Sequence, residues 1–259
     1  MDTNQPVKTD VQQRYRYYLK KRNNFLFFTL VIFILLVSSF AILWATGNSF
    51  DLLSTIYFPV VLIVLGIVTW YRPRYNYYVM KLDYYRMLKE NLGLIKLNKP
   101  LFTKSFVKQF IEDGFKKAPS HPDFVLFYQF FTKLPAIVNS GQVLVCIVLA
   151  KNENVDFYSD DLDHAINKLY ETYPDRKKVR KQIVLQFKKY KQYNEDIKDE
   201  IDRIINYKVG DNYIIHITIG YFQENQQIYF LRPKKRYPNK FYYYAVKLIR
   251  KYTGLTPEV

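Results

Sequence analysis

The aspartates and histidine of "DDLDH", Asp160 to His164, crowd into one helical turn. Carboxylates and an imidazole so close together could hold a divalent cation. Asp160 and Asp161 also open a helix that Ser159 would cap, and negative charge suits that end of a helix dipole. Helix-start electrostatics is the reading the residues favour. His216 shares one face of an alternating run with Thr218 and Gly220, flanked by Ile214 and Phe222. It could act as a base, and Gly220 would let a helix or a ligand come close to the sheet. A half-buried, hydrogen-bonded histidine is the simpler expectation. "SHPD", Ser120 to Asp123, reads as a turn despite its reactive residue types.

Cys146, the single cysteine, lies in "VLVCIVLA" and reads as a buried thiol in a reducing compartment. The chain has no P-loop lysine motif, dinucleotide fingerprint, nucleophile elbow or kinase signature. With eight glycines in 259 residues, phosphate-cradling loops have little material. No catalytic residue, metal or cofactor is expected.

Charge is the other chemistry on offer. The net charge of +16 calls for an anionic neighbour: phospholipid, nucleic acid or an acidic protein. On a helix expected from Asp175, Lys177, Lys181, Lys188 and Lys191 form a stripe opposite Val179, Ile183, Phe187 and Tyr190. "LRPKKRYPNK" adds Arg232, Lys234, Lys235, Arg236 and Lys240, with Tyr237 and Phe241 interleaved. Such clusters could track phosphates while their aromatics stack on bases. They suit a surface against anionic headgroups equally well, and a plain solvated face is the third reading.

Most of the positive charge lies elsewhere, beside two apolar stretches. Phe25 to Thr46 and Leu52 to Tyr71 give 22 and 20 residues without a charge. At ~1.5 Å per residue, each can cross a hydrocarbon core of roughly 30 Å. The first run is longer than a cleavable signal's, and no A-x-A-like site follows it, so both read as anchors. Lys8, Arg14, Arg16, Lys20, Lys21 and Arg22 precede the first stretch. Arg72, Arg74, Lys81, Arg86, Lys89, Lys96, Lys99 and Lys104 follow the second, while the turn between them carries only Asp51. Cations stay on the cytoplasmic side. A cell-membrane protein with two passes and both termini cytoplasmic is therefore expected, with "GNSF" as the outer tip. Trp44 then sits near the outer interface, and Trp70 and Tyr71 near the inner one.

The segments that must position these groups follow from periodicity. Residues 1–24 form a basic cytoplasmic segment, 25–71 a transmembrane hairpin (25–46 and 52–71), and 72–100 a juxtamembrane helix and linker. Residues 101–259 form a cytoplasmic α+β domain. In that domain Phe106, Phe110 and Ile111 mark a helix face, and 123–131 and 142–151 are buried strands. Helices follow at 159–173, from Asp175 and over 195–207. "DNYIIHITIGYF" alternates as a strand and turns through "QENQ" into an antiparallel partner. A last helix stops near Gly254. The sheet is expected to be antiparallel or mixed, and the order of elements suggests a duplicated αββα unit.

The combined expectation is a membrane-anchored, non-enzymatic binding or regulatory module. It would engage a protein partner or ligand at the anionic inner leaflet. Its rivals are a membrane-tethered nucleic-acid-binding protein, an enzyme around His216 or "DDLDH", and an immunity or exclusion factor. Homo-oligomerisation is left open, since no GxxxG motif directs the spans to pair.

Overall fold

The computed structural model describes residues 5–47, 50–135 and 137–255. Asn48 and Ser49, in the expected outer turn, lie outside the described residues. The chain divides into two units, Met1–Lys89 and Glu90–Val259.

The first unit is built from helices α1 (Gln5–Ala45) and α2 (Phe50–Glu90), of 41 residues each. At ~1.5 Å per residue each is about 60 Å long, roughly twice a hydrocarbon core. Both are long and apolar enough to cross a membrane, and the apolar window of each is entirely unburied within the protein. The juxtamembrane helix expected after the second stretch continues α2, and the basic segment before the first stretch is the opening of α1. Each apolar stretch simply continues as the same helix, α2 running on through Pro59 and Pro73. Aromatic rings set the antiparallel register of the pair. Trp44 meets Phe50 at 6.0 Å between ring centroids, Phe40 meets Tyr57 at 5.2 Å, Phe25 meets Tyr75 at 4.9 Å, and Tyr18 stacks on Tyr85 at 5.5 Å. At the polar ends, cations lie over rings: Arg74 over Trp70 and Tyr71, Lys21 over Tyr17, and Lys89 over Tyr15.

The second unit is an α+β domain with a mixed eight-stranded sheet. Its strands are β1 (Ile95–Lys96), β2 (Lys116–Lys117), β3 (Phe124–Phe131), β4 (Gln142–Ala150), β5 (Val179–Tyr190), β6 (Ile205–Val209), β7 (Asn212–Phe222) and β8 (Gln227–Tyr229). They run in the order β1-β8-β7-β5-β4-β3-β2, with β6 on the free edge of β7 beside its first residues. The central strands β4, β5 and β7 are parallel, and the outer pairs are antiparallel. Strand β1 falls in the segment expected to be a linker, so the folded unit begins before Leu101. The topology does not by itself bear out a duplicated unit: β3 pairs antiparallel with both β4 and β2, and β7 pairs in parallel with β5.

Helices cover both faces. Leu162, Ile166 and Leu169 of α4 (Asp160–Thr172) pack on Leu126, Leu144, Cys146 and Val184. Ile201 of α5 (Glu195–Asp202) packs on Tyr190, Phe222 and Tyr229 of the same face. On the opposite face, Phe106 and Phe110 of α3 (Lys104–Glu112) meet Phe187 and Phe127. Tyr252 of α6 (Lys240–Thr253) closes against Phe110. Ile111, expected on the inner face of α3, points to solvent instead. Strand β4 is buried at every position after Gln142, as befits a strand with helices on both faces.

Two expected helices are corrected. The stretch from Asp175 opens with a 3-10 turn, Arg176–Lys178, and then becomes the central strand β5. Its Val179, Ile183, Phe187 and Tyr190 fit a helical period. Its run Ile183, Val184, Leu185, Phe187 is also what a strand buried on both faces requires. The stretch 195–207 is half helix: α5 stops at Asp202, and Ile205 begins β6.

Candidate basic site at the amino end of the parallel strands

The lysine stripe does not survive the change from helix to strand, because neighbouring residues of a strand point to opposite faces. Lys188 turns inward. It is 3 % exposed, donates to Glu200 Oε1 at 2.9 Å, and lies over the rings of Phe157 and Tyr190. Lys191 is exposed just past β5. Lys177 sits in the 3-10 turn, and its side chain lies outside the described residues. In the second cluster Arg232 is buried beside the Phe230 ring, while Lys234, Lys235 and Arg236 are exposed.

One residue from each cluster, Lys181 and Lys240, meets in a single cavity of about 600 Å³. Its walls come from the first residue of β4, the start of β5, the β6–β7 turn and the start of α6. Lys178, Arg180, Lys181, Lys208 and Lys240 line it, against Asp211 as the one carboxylate among the described residues. Arg180 reaches Asp211 at 2.7 Å across exposed surface, and Lys178 pairs with Asp175 at 3.0 Å. Lys181 Nζ donates to the Ser140 carbonyl and lies 5.4 Å from the centre of the Phe241 ring. Lys240 flanks that ring at 5.7 Å and donates to the Val138 carbonyl at 3.2 Å. Burial lowers the proton affinity of the Lys181 amine, and the ammonium groups of Lys240 and Lys208 lower it further against the pull of Asp211.

The polar wall is held rigidly. Asn239 caps α6 by accepting from the backbone N–H groups of Phe241 and Tyr242, both at 2.9 Å. Its amide donates to Asn206 Oδ1 at 3.1 Å and to the Tyr213 hydroxyl, which itself donates to Asn206 Oδ1 at 2.8 Å. Gly141, at φ +66°, supplies a left-handed turn, and a Cβ there would come within 3.2 Å of Lys181 Nζ. The side-chain carbonyl oxygen of Gln142 is closed to solvent with no hydrogen-bond partner among the described residues.

Thr218 lies beneath α5 and His216 beside Tyr158, neither of them lining this cavity. His216 Nε2 is 2.9 Å from Gln186 Oε1, and the Tyr158 ring meets the imidazole edge-on at 5.0 Å. Burial pushes the imidazole down to about 3, which keeps it neutral. The Thr218 hydroxyl donates to the Ile201 carbonyl. Cys146 is fully enclosed, and burial pushes its thiol well above the ordinary range.

At the other end of β4 lies a smaller polar cavity of about 330 Å³, lined by Asp123, Asn152, Asn154, Asp156, Ser159 and Asp161 among others. Ligand atoms of His121, Asp123 and Asp161 lie within 4.8 Å of one another there, His121 being partly buried and both aspartates exposed. One aspartate of "DDLDH" thus meets the histidine and aspartate of "SHPD". Asp161 also sits in the first turn of α4, where Ser159 accepts from the Leu162 N–H at 3.3 Å. The domain is therefore polarised along β4, basic where the strand begins and acidic where it ends. Comparison of the chain with protein-family models, with curated proteins and with solved structures finds no match.

Proposed function

We propose that this chain is a two-pass membrane protein with both termini cytoplasmic, whose α+β domain is a non-enzymatic binding module at the inner membrane surface. The observation that carries this reading is the placement of cations along the two long helices. Arg14, Arg16, Lys20, Lys21 and Arg22 precede the first apolar stretch, Arg72 and Arg74 follow the second, and the turn has none. Cations flanking short loops are held on the cytoplasmic side, and an anionic leaflet attracts each by ~1 kcal/mol. Trp44 and Trp70 stand exposed at opposite ends of the hairpin, where amphipathic rings favour an interface.

Binding is favoured over catalysis because Cys146 and His216 are sealed in the core while the basic cavity is open. The tethered nucleic-acid reading loses its main support with the lysine stripe. Sealed right-side-out vesicles test the orientation. Added protease is expected to spare a tag at the C-terminus until detergent opens the membrane. Cleavage in the sealed vesicles overturns the orientation, and release of the chain by alkaline carbonate overturns the anchoring.

A further inference from the structure

We infer that the cavity lined by Lys181, Lys208, Lys240 and Arg180 is a binding site for a compact phosphate-bearing anion of diphosphate size. The inference rests on the reading of the domain as a binding module and names its ligand class.

Three features of the cavity point to this chemistry. First, its charge is unbalanced. Arg180 is engaged by Asp211 and Lys178 by Asp175, which leaves Lys181, Lys208 and Lys240 with no carboxylate partner among the described residues. The charges of Lys240 and Lys208 act against that of Lys181, and a polyanion would relieve that repulsion while accepting charge-assisted hydrogen bonds. Second, its size is that of a small molecule. About 600 Å³ falls within the roughly 300–1,000 Å³ of ligand pockets. A nucleic-acid strand would need a continuous groove, yet Lys188 and Arg232 are buried and Lys234, Lys235 and Arg236 do not line the cavity. Third, the remaining walls can grip what carries the phosphates. Tyr213 and Phe241 offer ring surface along its edge. The α6 dipole adds its positive end at Asn239.

Such phosphates could belong to a soluble molecule or to a lipid headgroup, so the experiment has an arm for each. The full chain, in nanodiscs of phosphatidylcholine, is titrated with inorganic pyrophosphate by calorimetry. Saturable binding is expected. Lys181→Gln with Lys240→Gln should weaken it about tenfold or more, as loss of two charge-assisted bonds requires. Lys234→Gln with Lys235→Gln should leave it unchanged, and Asp211→Asn should tighten it. Because one variant weakens and another strengthens, misfolding cannot imitate the pattern. If nanodiscs containing phosphatidic acid no longer bind pyrophosphate, the source is lipid; if they still bind it, the source is soluble. Absence of saturation, or equal loss in the Lys234 and Lys235 variant, overturns the inference. Nanodiscs leave both faces open to buffer, so neither result depends on the orientation proposed above.

Discussion

Ile201 of α5 occupies the space that a side chain on Gly220 of β7 would need. A Cβ at position 220 would fall 2.4 Å from Ile201 Cδ1 and 3.2 Å from Phe222 Cζ. The glycine lets a helix side chain, not a ligand, reach the sheet. Thr218, two residues earlier on the same face, bonds the Ile201 carbonyl and fixes that approach.

Gly220→Ala is therefore expected to destabilise the domain by about 1–3 kcal/mol through overpacking. Ile201→Val removes the Cδ1 atom that clashes and should recover part of the loss. The double variant would then be more stable than the sum of the two single effects, since residues in contact couple. Thermal unfolding of the full chain in detergent, followed by near-ultraviolet circular dichroism, reads this directly. Strict additivity would place the clash elsewhere.

The buried Lys188–Glu200 pair carries an asymmetric expectation. Lys188 is 3 % exposed and Glu200 35 %, and the Tyr190 hydroxyl also donates to Glu200, at 3.1 Å. Glu200→Gln strands an ammonium group in the core and should cost about 2 kcal/mol, below the full value for a buried pair because Glu200 touches water. Lys188→Met keeps the aliphatic stem and leaves Glu200 with solvent and Tyr190, so its cost should stay under about 1 kcal/mol. Unfolding midpoints of the two variants give the order. A costlier Lys188→Met would mean that the pair is held by packing on Phe157 and not by charge.

The legibility of the sequence varied with how local each signal is. Strands β3, β4 and β7, the Ser159 cap of α4, the stop of α6 at Gly254 and the two long apolar helices are written in short contiguous patterns, and they form as read. Strand β5 reads as a helix because its lysines imitate an exposed helix face. Only a partner from another element, Glu200, makes Lys188 tolerable in a central strand. The basic cavity was half visible. Lys181 and Lys240 each belong to a visible basic cluster, but the sheet brings them together from far apart in the chain. Lys208 and Arg180 gave no signal, since each looks like any solvated cation. "SHPD" and "DDLDH" read as separate motifs for the same reason. The antiparallel register of Phe124 with Ala150 is what carries the segment before β3 alongside the one leading into α4.

Two buried titrating groups should give the domain an unusual acid profile. Burial holds His216 down at about 3, against roughly 6.5 in an unfolded chain. Its contribution to stability is complete above that unfolded value and is lost as pH falls toward 3. Asp202 is shifted the other way. Burial raises its carboxyl to about 6 despite the hydrogen bond from Tyr229 at 2.7 Å. That contribution is complete below roughly 4, the unfolded value, and is lost as pH rises toward 6. Between about 4 and 6 the unfolded chain holds one extra proton at His216 and the folded chain one at Asp202, so the two slopes cancel. Stability measured by urea unfolding should therefore be nearly flat in that window and fall below it. Asp202→Asn removes one slope and exposes the other. The variant should lose about 1.4 kcal/mol per pH unit between 6 and 4, relative to the parent chain. Parallel curves for variant and parent would mean that Asp202 is ionised in the folded protein throughout, leaving the Tyr229 hydrogen bond stronger than the cost of burial.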